Sequence, residues 1–171
     1  MGEWNVEDRA TEADVLYLSF PSLKDPKHDP GVHQRHTGEV VTFVPWESFR
    51  KWEGTRRGKR EKEYMEFKKS IEDRMLKQLN RKMPELMKLV KFHELSTPLS
   101  TTHFTRAHHG AIYGLEATPR RFMSSQLGTR TPFRGLFMAG GDVATLGVTG
   151  AMVGGFLAAA TIHPTLFRKL I

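Results

Sequence analysis

Between Arg134 and Ile162 the chain runs through a short apolar stretch, two glycines, one acidic residue and then a glycine-opened run of small apolar residues, an order that few folds accommodate. Leu136, Phe137, Met138 and Ala139 are uninterruptedly apolar, as in a central parallel strand covered on both faces. Gly140 and Gly141 follow, at the end where open α/β sheets bind ligands, and Asp142 is placed to accept hydrogen bonds from a sugar or ribityl hydroxyl. Five residues on, Gly147, Val148, Thr149 and Gly150 predict a helix start, whose first N–H groups lack internal partners and carry a partial positive charge. Such an end favours an anionic ring edge or a phosphate oxygen. A plainer reading stands beside it: Asp142 closing a turn at a strand end, and Gly150-x-x-x-Gly154 serving close helix packing.

Upstream, Asp14 to Phe20 and Glu39 to Val44 are β-type runs ended by Pro21 and Pro45. Joined by the polar loop Ser22 to Gly38, they predict neighbouring antiparallel strands. Trp46, Phe49 and Trp52 recur every three residues on one face of a short helix begun near Pro45. Tyr64, Phe67, Ile71, Met75, Leu79 and Met83 then step by three and four, the single apolar stripe of a long helix. Pro84 ends that helix and opens a short one. Lys91 to Leu95 reads as a strand, Ser96 to Thr102 as an extended hydroxyl-rich segment, and Ala117 to Pro132 as a loop carrying Arg120, Arg121 and Arg130. Gly110 and Gly114 bracket a small segment in which backbone can come close to a flat ligand.

With 171 residues the chain is long enough for one domain with a sizeable core. The absence of cysteine excludes disulfides, thiolate zinc sites and cysteine nucleophiles, and fits a reducing compartment. The first eight residues contain no apolar signal-peptide core, and the longest apolar run, Val148 to Ile162, is shorter than the roughly 20 residues that cross a bilayer. The formal charge of +7 arises wholly between Arg50 and Lys82. That basic stretch reads either as a face for phosphates or anionic headgroups, or as a solvated helix with both signs interleaved. Nucleic-acid binding rests on charge alone, with no stacking platform or motif, and is not expected. His33 and His36, near Asp25, His28 and Asp29, lie in an irregular loop without preorganised ligand spacing, so no metal is expected. His108 and His109 precede a glycine segment and are candidates for substrate contact. There is no nucleophile elbow, no Walker loop and no Gly-x-Gly-x-x-Gly after a strand.

Taken together, Thr131–Val143 (Thr-Pro-Phe-Arg-Gly-Leu-Phe-Met-Ala-Gly-Gly-Asp-Val) and Gly147–Gly155 (Gly-Val-Thr-Gly-Ala-Met-Val-Gly-Gly) resemble the C-terminal FAD-binding segment of the phytoene desaturase family, which includes carotenoid isomerases and retinol saturases. Ser96–Thr101, Gly110–Phe122 and Leu16–Ser22 agree in order, so the resemblance runs from about Asp14 to the C-terminus. It implies an α+β chain: an antiparallel substrate-domain sheet with helices over residues 14–122, then the closing strand and helix of an FAD-binding α/β domain over 131–171. By position Asp142 would meet the ribityl or pyrophosphate region of FAD, and Gly140 and Gly141 would permit close approach. The backbone around Gly147, Val148, Thr149 and Gly150 would face the flavin's pyrimidine edge, stabilising negative charge there. The implied substrate is an apolar polyene or related lipid, met in or beside a membrane, and changed by desaturation, saturation or cis–trans isomerisation. No side chain is singled out as a catalytic acid or base. The resemblance covers about the C-terminal third of such an enzyme, so the N-terminal FAD-binding portion, or an oligomer partner, would supply the rest of the site. The competing expectation is a non-catalytic module that binds acidic partners or a membrane surface through its basic helix.

Overall fold

The computed structural model describes residues 3–165, in which the chain divides into two compact units, Met1–His103 and Phe104–Ile171. In the first unit, β1 (Tyr17–Ser19) and β2 (Glu39–Val41) pair antiparallel with Tyr17 opposite Val41 and Ser19 opposite Glu39. The expected strands are therefore present but shortened to three residues each. A short helix, α1 (Pro21–Lys24), follows β1 directly, where a loop was expected. The loop beyond it is held by its own polar groups. The Ser22 hydroxyl accepts from Thr37 N–H at 2.9 Å, His28 Nε2 lies 2.9 Å from the Arg35 carbonyl, and the rings of His28 and His36 are 5.4 Å apart. Among the described residues no cluster of three or more His, Cys, Asp or Glu forms a metal site.

Trp46–Trp52 is a 3₁₀ helix, and its geometry explains the three-residue recurrence of aromatics. At three residues per turn, side chains three apart eclipse one another, so Trp46, Phe49 and Trp52 share one edge. Phe49 and Trp52 are almost fully buried. They meet α2 (Lys62–Lys82), whose apolar stripe has Tyr64, Ile71, Met75 and Leu79 buried and Phe67 half-buried as its spacing predicts, whereas Met83 lies beyond the helix and is exposed. Trp52 packs edge-on to Tyr64 at 5.3 Å, and Phe49 edge-on to Phe67 at 5.5 Å. Pro84 does end the long helix: α3 (Pro84–Leu89) begins there after the non-helical Met83.

Two expectations are overturned in this unit. Lys91 to Leu95 forms no strand, since no neighbouring chain offers it a ladder. Ser96 to Thr102 is not extended, because Pro98 starts a helix, α4 (Pro98–Thr105). Pro is well suited to a first helical turn, where its missing N–H would have no partner anyway. Leu99 of α4 enters the core, and the buried Tyr64 hydroxyl lies 2.8 Å from Thr97 Oγ1, tying α2 to the start of this helix.

The N-terminal segment, with no periodic signal, is a core element. Trp4, Val6 and Ala13 are each less than 5% exposed and join the cluster around Phe49, Trp52 and Ile71. What holds this strap is the basic face of α2. Arg74 donates to the carbonyls of Val6 (2.6 Å) and Asp8 (2.7 Å) and stacks 4.5 Å over the Trp4 ring, while Gln78 donates to Ala13 O at 2.6 Å. Arg81 grips both Glu12 oxygens, at 2.8 and 2.5 Å, which holds the Glu12 carboxyl below its ordinary range. Lys51–Glu63, Lys62–Glu66 and Lys69–Asp73 are exposed pairs of small energetic weight. Much of the basic stretch is thus engaged within the chain. Replacing Arg74 with Met should cost about 2 kcal/mol, because it strips charged donors from three strap carbonyls, those of Val6, Asp8 and Thr11. A urea titration followed by fluorescence of Trp4, Trp46 and Trp52 measures this loss.

The second unit is built on α6 (Gly147–Ile162). Ahead of it lie a 3₁₀ turn (His108–Gly110), α5 (Pro119–Phe122) and a second 3₁₀ turn (Ser125–Leu127). Thr118 caps α5, its hydroxyl accepting from Arg121 N–H at 3.2 Å. The expected loop 117–132 therefore contains two short helical turns. The expected parallel strand Leu136 to Ala139 is reduced to one antiparallel bridge, Arg130 with Phe137, plus a 2.8 Å bond from Met138 N–H to Thr129 O. A buried parallel strand needs a ladder on both sides. Among the described residues none is offered. Among them, too, no helix is long and apolar enough to cross a membrane. Residues 166–171 of the expected C-terminal segment lie outside the described residues.

Candidate functional site

All seven residues singled out for cofactor contact lie on the turn Gly140–Leu146 and the first turn of α6. The turn closes through Val143 N–H donating to Gly140 O at 3.2 Å, and Gly140 needs its φ of +97°. Here the two readings of the glycines separate. A Cβ on Gly150 would fall inside the carbonyl oxygen of Thr145, and one on Gly154 inside that of Gly140, with the Gly140 carbon and nitrogen at 2.8 and 2.9 Å. Ordinary C···O approach stops at about 3.3 Å. Gly150 and Gly154 are therefore packing glycines that let the turn backbone lie on α6. Gly147, at φ +78°, has open space where a side chain would be, and Gly140 likewise.

α6 begins at Gly147, after the extended Leu146. Leu146 provides no side-chain cap, so the first N–H groups are not met by a capping oxygen. Val148 is 78% exposed and Thr149 is exposed beside it, while Gly150 is buried. The helix is inverted relative to an ordinary amphipathic one. Small residues, Gly150, Gly154 and Ala158, face inward at four-residue intervals, whereas Val148, Met152 and Ile162 are outward and largely exposed.

Asp142 is more occupied than its sequence position indicates. Its Oδ1 accepts from Leu115 N–H at 2.9 Å and lies 3.9 Å from the Arg121 guanidinium. The Arg121 side chain is only 5% exposed. Its Nη2 donates to Gly141 O at 2.6 Å and its Nη1 donates to Leu115 O. A Cβ on Gly114, where φ is +79°, would collide with the Asp142 carboxylate. Gly110–Leu115 is thus fastened to the Gly141–Asp142 turn by one buried cation and one carboxylate. Sequence reasoning counted Arg121 among several loop arginines; its place three residues after the helix-capping Thr118 was the available signal.

Tested against the FAD implied by the resemblance, the residues fit at the α6 end: open N–H groups, space over Gly140 and Gly147, and exposed apolar side chains alongside. Asp142 fits less simply, because its contacts within the chain run through Oδ1. A separate concavity of ≈ 380 Å³, lined by Gly128, Thr129, Val143, Leu157, Ala160 and Thr161, touches none of the seven residues. The rings of His108 and His109 stack on each other, 3.7 Å apart.

No family model matches the chain, and no solved structure does. Curated relatives do. The chain is 28% identical over 151 residues to all-trans-retinol 13,14-reductase of Rattus norvegicus, covering 86% of this chain and 25% of that protein. It is 28% identical over 159 residues to the Homo sapiens protein of the same name, covering 91% of this chain and 26% of the other. An inactive all-trans-retinol 13,14-reductase of Danio rerio gives the same values, 28% over 159 residues with 91% and 26% covered. The chain spans about a quarter of the length of these relatives.

Proposed function

We propose that this chain, a relative of the all-trans-retinol 13,14-reductases within the phytoene desaturase-like FAD-dependent oxidoreductases, supplies the C-terminal, cofactor-facing part of an oxidoreductase acting on a retinoid-like polyene or related apolar lipid. The observation that carries this reading is the outward-facing start of α6, without a side-chain cap, in a chain that aligns over 91% of its length with the human reductase. Gly147, Val148 and Thr149 would present backbone N–H groups to the electron-rich edge of the flavin, and Gly140 and Gly141 would let it come close. Bound FAD supplies hydride chemistry. The chain's own part is to bind, orient and keep water away, for which the exposed Val148 and Met152 are suited. Residues 14–122 would then belong to the substrate-covering portion and 131–171 to the FAD portion. The outward apolar face of α6 would be covered by the other three quarters of the assembly, whether supplied by the same polypeptide or by a partner.

Val148→Pro tests the backbone role. At the second helical position Pro removes one N–H while leaving the helix intact. In a chimera carrying this chain in place of the matching quarter of the rat protein, flavin retention should fall at least tenfold, about the loss of one charge-assisted hydrogen bond. Unchanged retention, measured by flavin absorbance after gel filtration, would remove α6 from the cofactor site.

A second reading, a non-catalytic module, is favoured by the zebrafish inactive relative, which matches as well as the human reductase does. Sequence likeness over this quarter therefore does not carry activity. A colourless chain that sediments with anionic vesicles, and a chimera that folds without flavin, would select that reading.

A further inference from the structure

We infer that Arg121 is a positioning residue: its buried guanidinium and the half-exposed Asp142 carboxylate form a clasp that fixes the Gly114–Leu115 end of the Gly110–Leu115 segment against the Gly140–Asp142 turn. Its relevance to cofactor binding rests on the proposed function; the clasp itself does not. Two observations argue for it. First, a guanidinium with a side chain only 5% exposed is costly to keep unless its donors and charge are met, and here one fork serves two carbonyls, Leu115 and Gly141, from segments far apart in sequence. Second, the loop is held from both sides of the same residue. Leu115 gives its N–H to Asp142 Oδ1 and its carbonyl to Arg121, while Gly114 is the residue type that admits the carboxylate.

The consequence changes the role assigned to Asp142. Oδ1 is used to set the loop, so the carboxylate acts on a ligand chiefly by placing backbone: the Gly140–Asp142 turn on one side, Gly110–Leu115 on the other. Ile112 and Tyr113, 57% and 60% exposed, lie on that segment three and two residues before Leu115.

Hydrogen exchange at the Leu115 amide in the full 171-residue chain reads the clasp without flavin. Arg121→Met keeps bulk but removes charge and donors, and Leu115 should exchange about tenfold faster or more. Arg121→Lys, which keeps the charge and some donors, should recover part of the protection. Asp142→Asn keeps a potential acceptor for Leu115 N–H but removes the charge facing Arg121, and should also speed exchange. Combined with Arg121→Met it should add little, because both changes break one device. Equal protection in Arg121→Met and wild type, or fully additive effects of the two substitutions, would overturn the inference. Should Arg121→Met unfold the second unit, the comparison of Asp142→Asn with wild type still decides: unchanged Leu115 exchange refutes the clasp. An FAD titration of the same variants is read separately. Loss of Leu115 protection in a chain that never binds flavin leaves the clasp standing and counts against the cofactor role alone.

Discussion

Gly154→Ala should destabilise the second unit by about 2 kcal/mol or more, against the usual sign for such a change. In the interior of a helix Ala is favoured over Gly by about 1 kcal/mol, because Gly loses more backbone freedom on folding. At Gly154 that gain is outweighed. The new methyl would meet the carbonyl oxygen, carbon and nitrogen of Gly140, which are backbone and cannot rotate away, so α6 or the turn must retreat. Overpacking of this kind costs about 3 kcal/mol where the neighbour is rigid. Gly155→Ala, one residue on, is the control. Nothing lies within 4 Å of its added Cβ, so it should stabilise by up to about 1 kcal/mol. Far-UV circular dichroism with exchange at α6 amides reads both, and opposite signs for neighbouring glycines are the result to look for. Equal effects would mean that the Gly140 turn does not rest on α6, and the placement of the Gly147 end would lose its support.

Phe49→Ala should be the most damaging single truncation in the first unit, at about 3–5 kcal/mol. Phe49 is 1% exposed and sits where the 3₁₀ helix meets α2, edge-on to Phe67. Its removal forfeits transfer free energy and an aromatic pair, and it leaves a cavity among Trp52, Ile71 and Leu99 that helices anchored by Tyr64 and Thr97 cannot readily close. The three tryptophans of the chain, Trp4, Trp46 and Trp52, all lie in this unit, so their fluorescence follows its unfolding, each variant being read against its own folded and unfolded baselines. A loss under about 1 kcal/mol would contradict the core described here.

Local patterning made the first unit legible where one element dictates its own burial. The stripe from Tyr64 to Leu79, the break at Pro84 and the Trp46–Trp52 recurrence are each written in spacing. The N-terminal strap was not legible, because Trp4 and Val6 have no period and their partners, Arg74 and Gln78, lie more than sixty residues away. The expected strand Leu136 to Ala139 is cut short for a related reason: a buried strand is specified by its neighbours, and among the described residues it meets one antiparallel bridge and one further backbone bond. In the candidate site the glycine pattern was visible, but it encodes two functions. Gly150 and Gly154 serve packing, and Gly140 and Gly147 leave open space. The clasp of Arg121 and Asp142 joins three segments through side chains and backbone carbonyls, a relation that spacing cannot carry.

The second unit turns small residues inward and large apolar ones outward, and it leaves a helix start uncapped. Both are features of a surface shaped to meet something else. The direct measurement is the flavin absorbance, per folded chain, of the chimera in which this chain replaces the matching quarter of the rat protein, with the unaltered rat protein as reference. The chimera should be yellow, with flavin bound in a ratio close to that of the reference. A chimera that folds as the reference does but elutes colourless would contradict the claim that this chain completes a flavin site.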